Sequence, residues 1–386
     1  MYRIVVLGML SGRNGVSTSM MNLYRNINKD LFQWDFVMFS NYKKMRDETS
    51  SGTFAKEIRT LGGHIHYLNY NIHDIPKGSR KQLKEILLSD KDIVGVHVHD
   101  IGRNVYPLYL ADQLNLPIKV IQFHSGCPRS EIEDRLNNID RKTRARLQMI
   151  TGDQFDRLAC SDYSGISAYR YLPYEIMPNG VDTKRFSYNE IYRNLLRQQL
   201  GINEDTVLFG MLGTVYYIKN PIFALKVFKE YQKINKNSFF AIVGGGFTEM
   251  YENINKYLTR NGLKRKVKVL GQQLQADMFY SAFDIFMCPS LKEGFPNTLC
   301  EAQSTGLPCL VSDEVTKAVA ITPLVEFGSL KDSPKSWAER IDGMIKKSRP
   351  RKSHNQEIKA AGYDIVDVGE RLGELYMKRI EEYKKK

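Results

Sequence analysis

Apolar residues in this chain come in short runs separated by longer segments of helical period. Ile4–Leu7, Trp34–Phe39, Asp92–His99, Ile118–His124 and Arg157–Ser161 read as strands in the first half. Val207–Leu212, Ser238–Val243, Val267–Leu270, Asp284–Cys288 and Cys309–Val311 repeat the rhythm in the second half. Between them lie helical patterns, among them Ser17–Ile27, Gln82–Leu88 and Pro221–Ile234, the last with Asn220 as N-cap and Pro221 as first helical residue. Strands alternating with helices predict an α/β chain with parallel sheets. The last segment places Ile365, Val368, Leu372, Leu375, Tyr376, Ile380 and Tyr383 at helical spacing. The only internal repetition is this pair of similar βα halves.

At 386 residues the chain exceeds one ordinary core, and two domains are expected. The turn-forming Pro178-Asn179-Gly180-Val181-Asp182 marks the boundary. It gives domains at 1–182 and 183–365, with a terminal helix at 366–386. A composition of 42% hydrophobic and 26% charged residues is globular, which excludes a disordered chain. No stretch approaches the ~18 consecutive apolar residues of a membrane span. Met1–Leu7 reads as a first strand rather than a signal peptide, so a cytoplasmic location is expected. The five cysteines lack any Cys-x-x-Cys pair, so they are expected as small core residues in a reducing compartment, not as disulfides or a zinc knuckle.

Lysine and arginine outnumber acidic residues 56 to 43, a net charge of +13. The excess clusters at Arg141–Arg146, Arg260–Lys268, Lys346–Lys352 and Lys384–Lys386. Nucleic acid, an anionic membrane surface and a plain solvated coat would each suit such charge. No nucleic-acid motif accompanies it, so nucleic acid is not an expected partner, and the other two readings stay open on charge alone.

One stretch carries most of the chemistry. The strand ending at Cys288 delivers the chain to a loop holding Glu293, then Gly294, Phe295 and Pro296. Gly294 allows close backbone approach, and Pro296 is preset for the first position of a helix. The amides of Asn297, Thr298 and Leu299 would then be unsatisfied donors at a positive helix end, suited to phosphate. Glu301 lies about one turn further in, within reach of hydroxyls of the same ligand. Two carboxylates around an anion site suit a molecule with a diphosphate in the middle and polyols at both ends, which describes a nucleotide sugar.

The spacing of Glu293 and Glu301 within Glu-Gly-Phe-Pro…Glu-Ala, followed by Gly306-Leu-Pro308 and a new strand, resembles the signature of the family-4 retaining glycosyltransferases of GT-B fold. Bacterial capsule and exopolysaccharide glycosyltransferases are the nearest type. The resemblance implies two Rossmann-like doubly wound domains facing a cleft, with the last helix crossing back onto the first domain. It is strongest over Val207–Leu330 and weaker in the first domain. The implied reaction moves a sugar from a nucleoside diphosphate, UDP-linked, to a growing lipid-linked oligosaccharide with retention at the anomeric carbon. The departing diphosphate would help deprotonate the incoming hydroxyl, so no dedicated base and no metal cofactor is required. The lipid-linked acceptor tips the charge reading toward an anionic membrane, with the protein peripheral on the inner face of the plasma membrane.

Residue by residue, the resemblance assigns Glu293 to the donor sugar and its neighbouring phosphate, and Glu301 to the ribose. The amides after Pro296, with Lys219, would hold the diphosphate, and His124 would reach the sugar from the other domain. Gly213-Thr214…Lys219-Asn220 stands where relatives carry Gly-Arg…Lys-Asn, so Thr214 replaces one phosphate-binding cation. Arg13 is a candidate substitute. Asn14-Gly15-Val16-Ser17 stands where relatives carry Gly-Gly-x-Glu. Gly15 keeps the close approach, and Ser17, a good helix cap, replaces the carboxylate. These losses leave room for a non-catalytic nucleotide-sugar-binding partner of a membrane assembly, and a GT-B sugar-nucleotide epimerase is a further alternative.

Each of these residues also has a plain structural reading: Lys219 as a solvated residue before a helix, the first glycine loop as an ordinary turn, His124 as a partner for a loop carbonyl. His97 and His99 share one face of a strand, a metal pair only if a third ligand joins them. Gly244-Gly245-Gly246 after a strand reads as a tight turn or a weak phosphate signal. Asp90-Lys91-Asp92 has the form of the metal-binding motif of GT-A transferases, but it precedes a strand and reads as a helix exit.

Overall fold

The computed structural model describes residues 1–8, 15–39, 54–68, 75, 77–99, 105–127 and 131–386. The chain divides into two compact units. One comprises Met1–Gly126, Glu131–Gly180 and Ile365–Lys386, the other Cys127–Ser130 and Val181–Asp364.

The first unit is built on a parallel sheet of seven strands: β1 (Tyr2–Leu7), β2 (Phe32–Phe39), β3 (His64–Leu68), β4 (Ile93–His99), β5 (Ile118–Phe123), β6 (Asp156–Ala159) and β7 (Glu175–Ile176). Their order is β3-β2-β1-β4-β5-β6-β7. The order reverses between β1 and β4, the place where α/β sheets open a crevice beyond the strand ends. The helix Ile365–Lys384 belongs to this unit. Its Val368, Leu372, Tyr376 and Ile380 pack with Met20, Leu23 and Phe32 in one core. Gly369 lets it close on the helix Gly15–Asn26, since a Cβ there would stand 2.6 Å from the carbonyl oxygen of Asn26.

The second unit holds six parallel strands: β8 (Val207–Leu212), β9 (Ser238–Val243), β10 (Val267–Val269), β11 (Ile285–Cys288), β12 (Cys309–Ser312) and β13 (Val325–Gly328). Their order is β10-β9-β8-β11-β12-β13, reversing between β8 and β11. Both units are therefore doubly wound, as the alternation of strands and helices predicts.

The strands read from apolar runs are present in this structure; β3, β7 and β13 are not legible as such runs. Two helix starts also differ from expectation. The first helix begins at Gly15, so Ser17 sits buried in its first turn instead of capping it. The helix after Glu293 runs Asn297–Ser304, with Pro296 as its N-cap (φ −73°, ψ 107°) and not its first residue. Asn220 does precede the helix Pro221–Ile234, but in the left-handed conformation (φ 54°) and without a side-chain capping bond. Asp90 follows the helix Lys77–Leu88 by two residues, its side chain accepting from the amide of Asp92 at 2.9 Å, consistent with a helix exit. All five cysteines are free and buried.

Candidate active site

The second unit's switch point brings together the loops that follow β8 and β11. The amide of Leu291 donates to the carbonyl of Ile218 at 2.8 Å, fastening one loop to the other. On this frame the Lys219 ammonium donates to Glu293 Oε1 at 2.6 Å, and the two side chains are only 18% and 13% exposed. Burial works to lower the Lys219 pKa, but the Glu293 carboxylate, with Cys288 and Tyr216 adding to it, leaves the amine above its ordinary value. Lys219 is thus a fixed, permanently charged cation at the sheet's carboxyl edge.

The glycines beneath it are there for backbone contact. Gly244, at φ +143°, has no room for a side chain: a Cβ would lie 1.8 Å from the carbonyl oxygen of Gly213. The pairing of β8 with β9 continues past both strand ends, through Val215 N–H to the Gly245 carbonyl at 2.8 Å. Gly244–Gly246 therefore extend the parallel ladder alongside Gly213–Val215, in place of the tight turn expected. Thr214 is exposed on the same rim.

The helix Asn297–Ser304 starts beside Glu293 with no side-chain cap and no acidic residue in its first turn. Of the three amides expected to be open, that of Leu299 is taken, donating to the Pro296 carbonyl at 2.9 Å. The helix is pinned from behind by Gln303. Its amide nitrogen donates to the Val319 carbonyl at 2.8 Å, and its oxygen accepts from the amides of Ile321 and Thr322 at 3.1 and 3.0 Å. Phe295 is buried and stacked on Tyr363 at 4.9 Å, and Leu299 is fully buried. Both side chains brace the loop and helix rather than face a ligand. Gly294 and Pro296 are buried in the same loop.

Glu301, one turn along, accepts a hydrogen bond from the Tyr280 hydroxyl at 2.7 Å. Burial raises its pKa; the Tyr280 bond and the charge of Arg185 act against that, and Asp277 acts with it. No sequence pattern pointed to Tyr280, which lies 21 positions away.

In the first unit, His124 follows β5 and is buried. Its Nδ1 lies 2.6 Å from Asn179 Oδ1 and its Nε2 lies 2.9 Å from His99 Nδ1. His99 in turn stacks on His97 with ring centres 4.0 Å apart, and His97 Nδ1 meets the Tyr376 hydroxyl at 2.6 Å. Burial pushes the His97 pKa down to about 3 and that of His99 well below its ordinary value. The pair on β4 is thus held neutral within a hydrogen-bonded stack. Among the described residues, no three His, Cys, Asp or Glu side chains form a group able to hold a metal. Gly15 opens the first helix, and a Cβ on it would meet no described residue within 4 Å. Asn14 and Arg13 lie outside the described residues.

Residues 193–363 match the glycosyl transferases group 1 family. Over nearly its whole length the chain is similar to EpsF of Bacillus subtilis, a protein named as a glycosyltransferase: 28% identity over 93% of this chain and 92% of that one. A shorter segment is 36% identical to the UDP-Gal:alpha-D-GlcNAc-diphosphoundecaprenol alpha-1,3-galactosyltransferase of Escherichia coli, over 36% of each chain. The crystal structure of HepE of Anabaena in complex with UDP-glucose superposes with a TM-score of 0.73 at 14% identity, covering 98% of this chain and 100% of that one. The family match lies on the unit that carries Lys219, Glu293 and Glu301, and the superposition covers nearly the whole chain, so residues 193–363 are a glycosyl transferases group 1 domain and the chain has the GT-B fold.

Proposed function

We propose that this glycosyltransferase takes a sugar from a nucleoside diphosphate, UDP for preference, and passes it with retained anomeric configuration to a lipid-linked oligosaccharide in capsule or exopolysaccharide assembly. The observation that carries the reading is the Lys219–Glu293 pair, held at the β8/β11 switch point beside an uncapped helix start. A diphosphate arriving there meets the ammonium and the positive end of the helix Asn297–Ser304, while Glu293, released from its lysine, accepts hydroxyls of the donor sugar. Glu301 takes the ribose, and His124 serves the sugar on giving up its bond to His99. Positive charge already in place stabilises the diphosphate as it departs, and this needs no reorganisation at the moment of reaction. No metal is required if Lys219 and the helix end supply that field. The E. coli relative's name, with its UDP-galactose and diphosphoundecaprenol-linked substrate, supports the choice of donor and acceptor class.

The same acceptor implies work at an anionic membrane surface. Arg141, Lys142 and Arg144 are exposed on one short helix, near the exposed apolar Leu136 and Met149 in sequence. Basic residues at a lipid surface contribute about 1 kcal/mol each, and the attraction is screened by salt. Flotation with phosphatidylserine vesicles that is lost at high salt would support this.

The deciding experiment incubates the protein with a panel of nucleotide sugars, with and without lipid-linked acceptors. Nucleotide released only when acceptor is present supports transfer. Interconverted sugar supports an epimerase, and binding without either product supports a non-catalytic partner, the reading favoured by Thr214 in place of a second cation.

A further inference from the structure

Glu301 is half-buried at a place where desolvation favours the neutral acid, yet the proposed grip on ribose needs an acceptor on both of its oxygens. The groups around it are few. Tyr280 and Asp277 come from the helix Ala276–Ala282, Arg185 from the segment before the helix Glu190–Leu200, and Cys300 from the same helix as Glu301. Arg185 is spoken for in part, since it pairs with Asp277 at 3.1 Å and donates to the Leu274 carbonyl at 3.0 Å. The direct neutral donor to Glu301 is Tyr280, at 2.7 Å.

Tyr280 is held for that task. Its side chain is fully buried, with Phe186 edge-on at 5.7 Å and Phe286 tilted at 5.7 Å. Its backbone carbonyl accepts from the Arg351 guanidinium. The ring cannot turn without breaking both aromatic contacts, so the hydroxyl is presented to Glu301 at a fixed angle.

We infer that Tyr280 is a positioning residue for nucleotide recognition: its hydroxyl fixes the rotamer of Glu301, so that the remaining lone pairs face the ribose hydroxyls. The inference rests on the proposed role of Glu301. The hydrogen bond is one to a charged acceptor, which is worth more than a neutral pair and is selective for the ionised form.

The test is Tyr280→Phe, which removes one oxygen and keeps the ring between its two neighbours. UDP, GDP and inorganic pyrophosphate are titrated into the full-length wild-type protein and the variant by calorimetry between pH 5 and 8. The expected result is UDP or GDP binding about tenfold weaker at neutral pH, with pyrophosphate affinity unchanged because it carries no ribose. Affinity should fall with pH as Glu301 takes up a proton, and in Tyr280→Phe that fall should begin at higher pH. Titration of the phosphates themselves is common to both proteins and cancels in the comparison. In a Glu301→Gln background the Tyr280→Phe change should add nothing, since its only route to the nucleotide has gone.

Equal nucleotide affinity and equal pH profiles in wild type and Tyr280→Phe would overturn the inference while leaving the nucleotide site standing. An equal loss for pyrophosphate would also overturn it, as a general loosening of the site. A wild-type protein that binds neither nucleotide would remove the proposed function, and this inference with it.

Discussion

His99 Nδ1 lies 2.9 Å from His124 Nε2, and a single proton lies between them. Asn179 Oδ1, 2.6 Å from the other nitrogen of His124, accepts from Nδ1–H, so in the neutral ring Nε2 is the acceptor and His99 the donor. That fixes His99 as its Nδ1–H tautomer and leaves its Nε2 buried without a hydrogen-bond partner, as is Nε2 of His97. A second proton on His99 would have no acceptor to meet, and at His97 the Gln122 side chain opposes the effect of burial without overcoming it.

Acid should therefore destabilise the first unit. The unfolded histidines bind protons below their ordinary pKa of 6.5, while folded His97 does so only near pH 3 and folded His99 also far lower than usual. Stability is complete above about pH 6.5 and is lost as pH falls toward 3. Each histidine costs about 1.4 kcal/mol per pH unit across that window. Urea unfolding at pH 7, 6 and 5 should show this slope, and His97→Gln should reduce it by about the share of one histidine. A transition midpoint that stays level from pH 7 to 5 would contradict the neutral stack.

What the sequence reveals follows from burial. Runs such as Ser238–Val243 stand between neighbours and are buried throughout, so every position is apolar or small. The strands it conceals lie at or near sheet edges. His64–Leu68 and Val325–Gly328 are largely half-buried, and Glu175–Ile176 is two exposed residues long, so no apolar run forms. The site divides the same way. Lys219 and Glu293 sit in loops whose local spacing carries the signal, and the fold brings them together across 74 positions. Tyr280, His99 and Asn179 act through contacts made only by tertiary packing, and nothing adjacent to them in sequence announces a partner.

Gly244 offers a test of the rim without touching a charged group. Its φ of +143° strains any residue with a side chain, and the added Cβ of Gly244→Ala would overlap the Gly213 carbonyl at 1.8 Å. A backbone atom cannot swing aside as a side-chain tip can. The backbone conformation alone costs of order 1–3 kcal/mol, so a loss of about 3 kcal/mol or more is expected once the overlap is added. Gly245→Ala is the control. Its Cβ would meet only Gln272 at 3.7 Å, and its stability should stay within about 1 kcal/mol of wild type.

The Lys219–Glu293 pair should show itself in both stability and turnover. Breaking a buried pair leaves one charge without its partner and costs roughly 3–5 kcal/mol; with some solvent reaching both side chains, the low end is expected. Lys219→Met and Glu293→Gln should each destabilise, and the double variant should be more stable than their sum predicts. Turnover should fall by about 10²–10³ in Lys219→Met if its charge stabilises the departing diphosphate. Additive stabilities measured by urea unfolding would mean that the two groups do not act as a pair.

The same cation bears on metal dependence. A divalent ion on a diphosphate and a fixed ammonium beside a helix start do the same electrostatic work, lowering the energy of charge that builds on the leaving group. Lys219 is held charged by Glu293, and the helix Asn297–Ser304 begins without a capping side chain or an acid to cancel its positive end. Transfer should therefore proceed at an undiminished rate in excess EDTA, and added manganese or magnesium should change it by less than a few fold. The Lys219→Met variant sharpens the comparison. If metal restores its turnover while wild type is indifferent, the ion is replacing a charge the protein normally supplies. A wild-type enzyme silenced by chelator and revived by manganese would show that Lys219 and the helix end are insufficient on their own.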